Sequence, residues 1–202
     1  TADPDKVVGE SITIGGLGLV DAAQAVATTV TATGDAFRTE SGWAREAALS
    51  FGFQESPLGF GGIKTVTVRN DGPAPVTYDV STTPSAQSLK ARVFLSSSSI
   101  TVAPGSSAKI LLTVGAAAKD VPSSVGGADQ FAYYEISGDI TLTSADSTLR
   151  VPYLLVPRSS STVSSATPAL FTKKQKVADA TKKISLWNLF GAQPSSGADV
   201  YT

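Results

Sequence analysis

YEISGDITLTSADSTLRVPYLLVP (134–157) holds two runs with a period of two, joined by a turn. In the first, Ile136, Ile140 and Leu142 stand against Ser137, Asp139, Thr141 and Thr143. In the second, Leu149, Val151, Tyr153 and Leu155 share one side. Successive side chains of a strand point to opposite faces, so each run has one buried and one wet face. Ser144-Ala145-Asp146 between them is turn chemistry. The same pattern extends upstream. SAKILLTV (107–114) alternates Ala108, Ile110, Leu112 and Val114 with mostly polar neighbours. PVTYDVSTT (75–83) sets Val76, Tyr78 and Val80 against Thr77, Asp79 and Ser81. IKTVTVRN (63–70) puts Val66 and Val68 on one face.

Further turn signals, Asn70-Asp71-Gly72-Pro73 and Pro104-Gly105-Ser106, separate the runs. ARVFLSSSS (91–99) and Ile100-Thr101-Val102 read as two shorter strands, and AALSFGF (47–53) as the first, with Phe51 and Phe53 facing the core or else forming an exposed aromatic stripe. One wet face per strand suits an antiparallel sheet and not a parallel one. The expectation is a mainly β protein: an antiparallel β-sandwich of the fibronectin type III or immunoglobulin-like kind, with a short N-terminal helical segment.

Composition narrows function. The 202 residues suffice for one ordinary domain plus appendages. A net charge of −1 gives no electrostatic case for nucleic acid or an anionic membrane surface. No run of about 18 apolar residues exists to span a bilayer. The chain has no cysteine, which excludes disulfides, thiol nucleophiles and thiolate metal sites. It also has no histidine, which removes the usual general base, the usual metal ligand and the Ser-His-Asp triad. A Ser-Lys pair has no motif to recommend it. The chain starts at Thr1 and contains no methionine, so it reads as part of something longer.

Upstream of the sandwich, Leu19, Ala22, Ala23, Val26 and Val30 recur at helical spacing, with Asp21 in the first turn where its charge favours the helix start. Gly15, Gly16 and Gly18 before it fail as a dinucleotide loop, because Asp21 stands where the third glycine belongs; they read as a tight turn. Residues 115–133 form the longest irregular connection. Its surroundings offer only Asp120, Asp129 and Glu135 as carboxylates, without the dense alternation of a cation loop. RSSSTVSSATP (158–168) is linker-like. Beyond it, Lys173, Lys174, Lys176, Lys182 and Lys183 stud a segment that reads either as an amphipathic helix or as two strands on VADATKK and ISLWNLF.

Several stretches, in order, resemble the subtilase family of serine endopeptidases. TADP (1–4) is similar to the segment after the catalytic serine region, and GGLGLVDAAQAV (15–26) to the opening of the last helix of the catalytic domain. LSFG (49–52), KTVTVRNDG (64–72), ITVAPGSSAKILLTV (100–114) and GDITLTSADSTLRVPYLLV (138–156) resemble the fibronectin type III-like domain that follows it. GADVYT (197–202) is similar to the start of a further β module. The family's catalytic Asp and His and its G-T-S-x-x-x-P nucleophile segment have no counterpart here. The resemblance therefore implies the non-catalytic C-terminal region of a secreted or cell-surface bacterial protease. Residues 1–45 would be the end of the catalytic domain, 46–158 the sandwich, 159–168 a linker and 169–202 the start of another module. No catalytic, cofactor-binding or metal residue is assigned, no cofactor is expected, and the chain alone should not hydrolyse peptides. The implied partners are the rest of the parent protease, in the same chain or another, and a protein substrate. The alternative is a standalone extracellular adhesion or carbohydrate-binding module, whose aromatic platform would draw on Trp43, Trp187, Tyr133 and Tyr134.

Overall fold

The computed structural model describes residues 2–3, 12–16, 18–124, 132–165, 186–191 and 199–201. The elements, in chain order, are β1 (Ala2–Asp3), α1 (Ile12–Gly15), β2 (Leu19–Val20), α2 (Ala22–Ala27), β3 (Val30–Thr33), β4 (Ala36–Thr39), β5 (Gly42–Arg45), β6 (Leu49–Ser56), β7 (Gly59–Asn70), β8 (Val76–Pro84), β9 (Arg92–Leu95), β10 (Ser99–Val102), β11 (Ser107–Ala117), a 3-10 turn (Ala118–Asp120), β12 (Ile136–Thr143), β13 (Thr148–Ser165), β14 (Leu186–Gly191) and β15 (Asp199–Tyr201).

Two sheets face each other. One runs β10-β8-β12-β13, with β6, β14 and β15 also bound to β13; the other runs β3-β7-β11-β9. From β6 to β11 the chain alternates between the sheets at every strand, and β12 and β13 complete the first as a hairpin. The long pairings are antiparallel, except that β6 lies parallel to β13. This is an immunoglobulin-like β-sandwich. The core is the alternating set of the two inner faces: Val66 and Val68; Ile110, Leu112 and Val114; Tyr78 and Val80; Ile136, Ile140 and Leu142; Leu149, Val151, Tyr153 and Leu155. Each such aliphatic side chain contributes roughly 1.5–3 kcal/mol by leaving water.

One side chain ties the two sheets together between β6 and β7. The Gln54 amide accepts from Gly61 N at 2.9 Å and donates to Gly61 O at 3.1 Å, tying β6 to β7. Gly61 itself sits at φ +148° against the backbone of Val114 and Gly115, where no Cβ fits.

Four expectations change. The helix expected over 19–30 is confined to Ala22–Ala27. Leu19 and Val20 pair with β1, and Val30–Thr33 adds β3 to the edge of β7. The ladder hydrogen bonds of two short strands outcompete a weakly helical, alanine-rich pattern. Asp21 is the N-cap, accepting from Gln24 N at 2.9 Å, rather than a first-turn residue. The sandwich begins upstream of residue 46, because β3 is part of it and Val30 is buried in its core. Residues 159–165, expected in the serine-rich linker, continue β13, since backbone pairing with β6 and β14 extends a strand whatever its side chains. Of the two strands considered near the C-terminus, Leu186–Gly191 is a strand; VADATKK lies outside the described residues.

Candidate aromatic recess

A β-bulge builds the most distinctive surface feature. In the parallel pairing of β6 with β13, Leu154 lies opposite Ser50 and Leu155 opposite Gly52, so Phe51 is an extra residue. Gly52 supplies the left-handed conformation, at φ +71°. The insertion flips the parity of β6. Leu49 is fully buried and Phe51 packs against the core, but Phe53 points outward and is 62% exposed. The expectation that Phe51 and Phe53 share the core therefore holds for Phe51 only. The signal in the sequence was Gly52, an isolated glycine inside a strand pattern.

On the outer surface Phe53 lies opposite Val156. With Ser124, Ala132, Tyr133, Tyr134, Pro157 and Arg158 it lines a recess of about 190 Å³. Tyr133 is 87% exposed, so one wall is an open aromatic face. The Arg158 guanidinium stands 3.8 Å from the Glu55 carboxylate at the rim, a partly exposed pair of little energetic weight. Among the described residues no carboxylate or lysine lines the recess. Its chemistry is that of binding an apolar or ring-shaped group, by burial and by contact with π-faces.

The other sequence candidates do not join it. Trp43 is exposed on the β4–β5 hairpin, opposite Arg38. That hairpin's base is fixed by Gly34 N donating to Glu46 O at 2.7 Å and by Lys64 reaching Glu46 at 2.9 Å and Asp35 at 3.7 Å. The side chain of Trp187 lies outside the described residues. Gly16 and Gly18 adopt positive φ in a turn, and Gly15 closes α1. Asp129 lies outside the described residues, whereas Glu135 accepts from Thr13 Oγ1 at 2.9 Å and Ser137 Oγ at 2.8 Å, a structural role. Among the described residues no cluster of three or more Asp or Glu could hold a metal ion, and no helix is long and apolar enough to cross a membrane. Among the described residues one titrating group is perturbed: burial raises the Tyr153 phenol, the neighbouring Thr82 hydroxyl lowers it in part, and the Asp139 charge raises it further. It belongs to the core.

No protein-family model matches the chain, and no curated protein does. Solved structures resemble it at low similarity. The FixG-related protein from Vibrio parahaemolyticus has a TM-score of 0.38 at 12% identity, covering 64% of this chain and 97% of that one. The ASH/PapD-like domain 7 of human CEP192 has a TM-score of 0.37 at 12% identity, covering 64% and 85%. Escherichia coli alpha-2-macroglobulin has a TM-score of 0.40 at 12% identity, covering 69% of this chain and 11% of that one. At this level none bears on function, and the fold assignment rests on the strand pairing above.

Proposed function

We propose that the chain is a non-catalytic part of a secreted bacterial subtilisin-like serine endopeptidase, in which the sandwich supports the parent protease or positions its substrate. The order of the subtilase-like motifs suggests the parent, and the absence of histidine and cysteine from the sequence argues against chemistry in the chain itself. The observation that carries the proposal is the state of residues 12–28. Ile14, Leu19, Val20 and Val26 all stand exposed, Val26 at 88%, and neither α1 nor α2 buries a residue. A helix of six residues is not stable in water on its own propensity, and cover of this apolar surface by the rest of a catalytic domain would supply the missing stabilisation. This is also the stretch that resembles the last helix of a subtilisin-like catalytic domain.

Amide hydrogen exchange tests it. In the isolated chain, residues 12–28 should exchange within seconds while the β7 and β11 amides stay protected for hours; in the source polypeptide with its upstream region, residues 12–28 should become protected. Protection of 12–28 in an isolated monomer to the level of the sandwich would remove the need for a partner.

The recess favours a second reading, a glycan-binding module that stacks a sugar ring on Tyr133 and Phe53. Glycan-array binding should then be lost in Tyr133→Ala and kept in Trp43→Ala. Absence of binding by the unmodified chain, or loss only with Trp43→Ala, would refute this reading.

A further inference from the structure

The outer face of the β3-β7-β11-β9 sheet holds an open cleft of about 990 Å³ at one end. Its floor is almost bare of side chains: Gly59, Gly61, Gly62 and Gly115, with Ala116 and Ala117. Lys90, Arg92 and Lys119 line it against one carboxylate among the described residues, Asp120. All three cations are exposed, and none has an ion-pair partner among the described residues, whereas Lys64, Arg69 and Arg158 are each paired. Pairing with β9 ends at Gly115 opposite Arg92, but β11 continues to Ala117. Among the described residues no strand pairs with Ala116 and Ala117 on that side. The register places Gly61, Gly115 and Arg92 in one row, and the next row is Ile63, Thr113 and Phe94, of which Ile63 and Phe94 are exposed.

From this juxtaposition we infer that the cleft is a docking site for an extended acidic polypeptide segment. Its carboxylates meet Lys90, Arg92 and Lys119, its main chain hydrogen-bonds to the Ala116–Ala117 edge, and an apolar side chain rests on Ile63 and Phe94. The charge balance of the lining calls for an anion. The unpaired strand edge and the apolar row select a polypeptide over an acidic polysaccharide, which has no strand-like main chain and no apolar anchor. The bare floor lets a backbone approach closely.

The test is fluorescence anisotropy with a fluorescein-labelled hexapeptide of alternating glutamate and valine. Binding should weaken at least tenfold in the Lys90→Glu/Arg92→Glu/Lys119→Glu variant and decline with salt. It should be unchanged in Lys109→Glu, an exposed lysine of β11 outside the cleft. All four positions are on the surface, and an unchanged melting temperature confirms that the variants fold. The same peptide N-methylated along its backbone should bind at least fivefold more weakly. Absence of binding, equal loss in Lys109→Glu, insensitivity to N-methylation, or displacement by polyglucuronate at equal charge concentration would each overturn the inference.

Discussion

Replacing Gly138 with alanine should destabilise the sandwich by about 3 kcal/mol, among the largest effects expected of any single methyl group. Gly138 lies in β12, opposite Tyr153 of β13 and Pro84 of β8. The Tyr153 ring folds across it. An added Cβ would overlap the Tyr153 hydroxyl and the Thr83 carbonyl oxygen, and would stand 2.7 Å from the ring carbon that carries the hydroxyl. The carbonyl belongs to the backbone of the neighbouring strand and cannot rotate away, so the β8–β12 spacing must widen. Tyr153→Phe separates the steric part of this effect from the polar part. The Tyr153 hydroxyl is buried with no hydrogen-bond partner within bonding distance among the described residues, and the hydroxyl of Thr82 beside it donates to the Asp139 carbonyl at 3.0 Å. Removing it should leave stability unchanged or raise it by about 1 kcal/mol, and should restore only part of the loss in Gly138→Ala. Urea unfolding of the two single variants and the double variant measures both effects, and a Gly138→Ala protein as stable as the parent would contradict them.

Burial raises the Tyr153 pKa in the folded state, so the fold favours the neutral phenol. That contribution is fully present below the unfolded pKa of about 10 and is lost as pH rises through the folded value. Tyr153→Phe should flatten the fall in melting temperature above pH 10.

Asn70→Ala should cost about 3 kcal/mol, close to 10 °C in melting temperature. Asn70 is fully buried at the end of β7. Its side-chain nitrogen donates to Ala74 O at 2.7 Å and Val102 O at 3.1 Å, and its side-chain oxygen accepts from Gly72 N at 2.9 Å. Alanine strands three backbone groups, of which the Val102 carbonyl and the Gly72 amide are in bonds buried from water. Aspartate should be nearly as damaging, because it keeps the acceptor for Gly72 but cannot donate to the two carbonyls. A melting temperature within 2–3 °C of the parent in Asn70→Ala would mean that water reaches this corner.

Asn70 also shows how far the chain could be read from its sequence. Asn70-Asp71-Gly72-Pro73 was legible as a turn because turn chemistry is local. That the Asn70 amide also holds the Val102 carbonyl, 32 positions away, was not, since nothing near Asn70 records it. Phe53 carries the same lesson for the recess. Its alternation with Phe51 predicted a shared face, and the bulge against Leu154–Leu155 separated them. Tyr133 and Tyr134 were visible as an aromatic pair, but their neighbourhood with Phe53 and Arg158 depends on how the β6–β13 pairing meets the segment leading into β12.

The sequence by itself determined the inner faces of the sandwich. Tyr78, Ile110, Leu112, Ile140, Val151 and Leu155 announce their burial through a period of two, a property of each strand's own geometry. It also excluded histidine- and cysteine-based chemistry by composition alone. Only the tertiary structure decided that Val30–Thr33 leaves a helical pattern for the β7 edge, that a serine run continues β13, and that one inserted residue turns Phe53 to the surface. Each of these is settled by which distant backbone supplies the hydrogen bonds, and a hydrogen-bond partner far along the chain leaves no periodic trace in the residues that receive it.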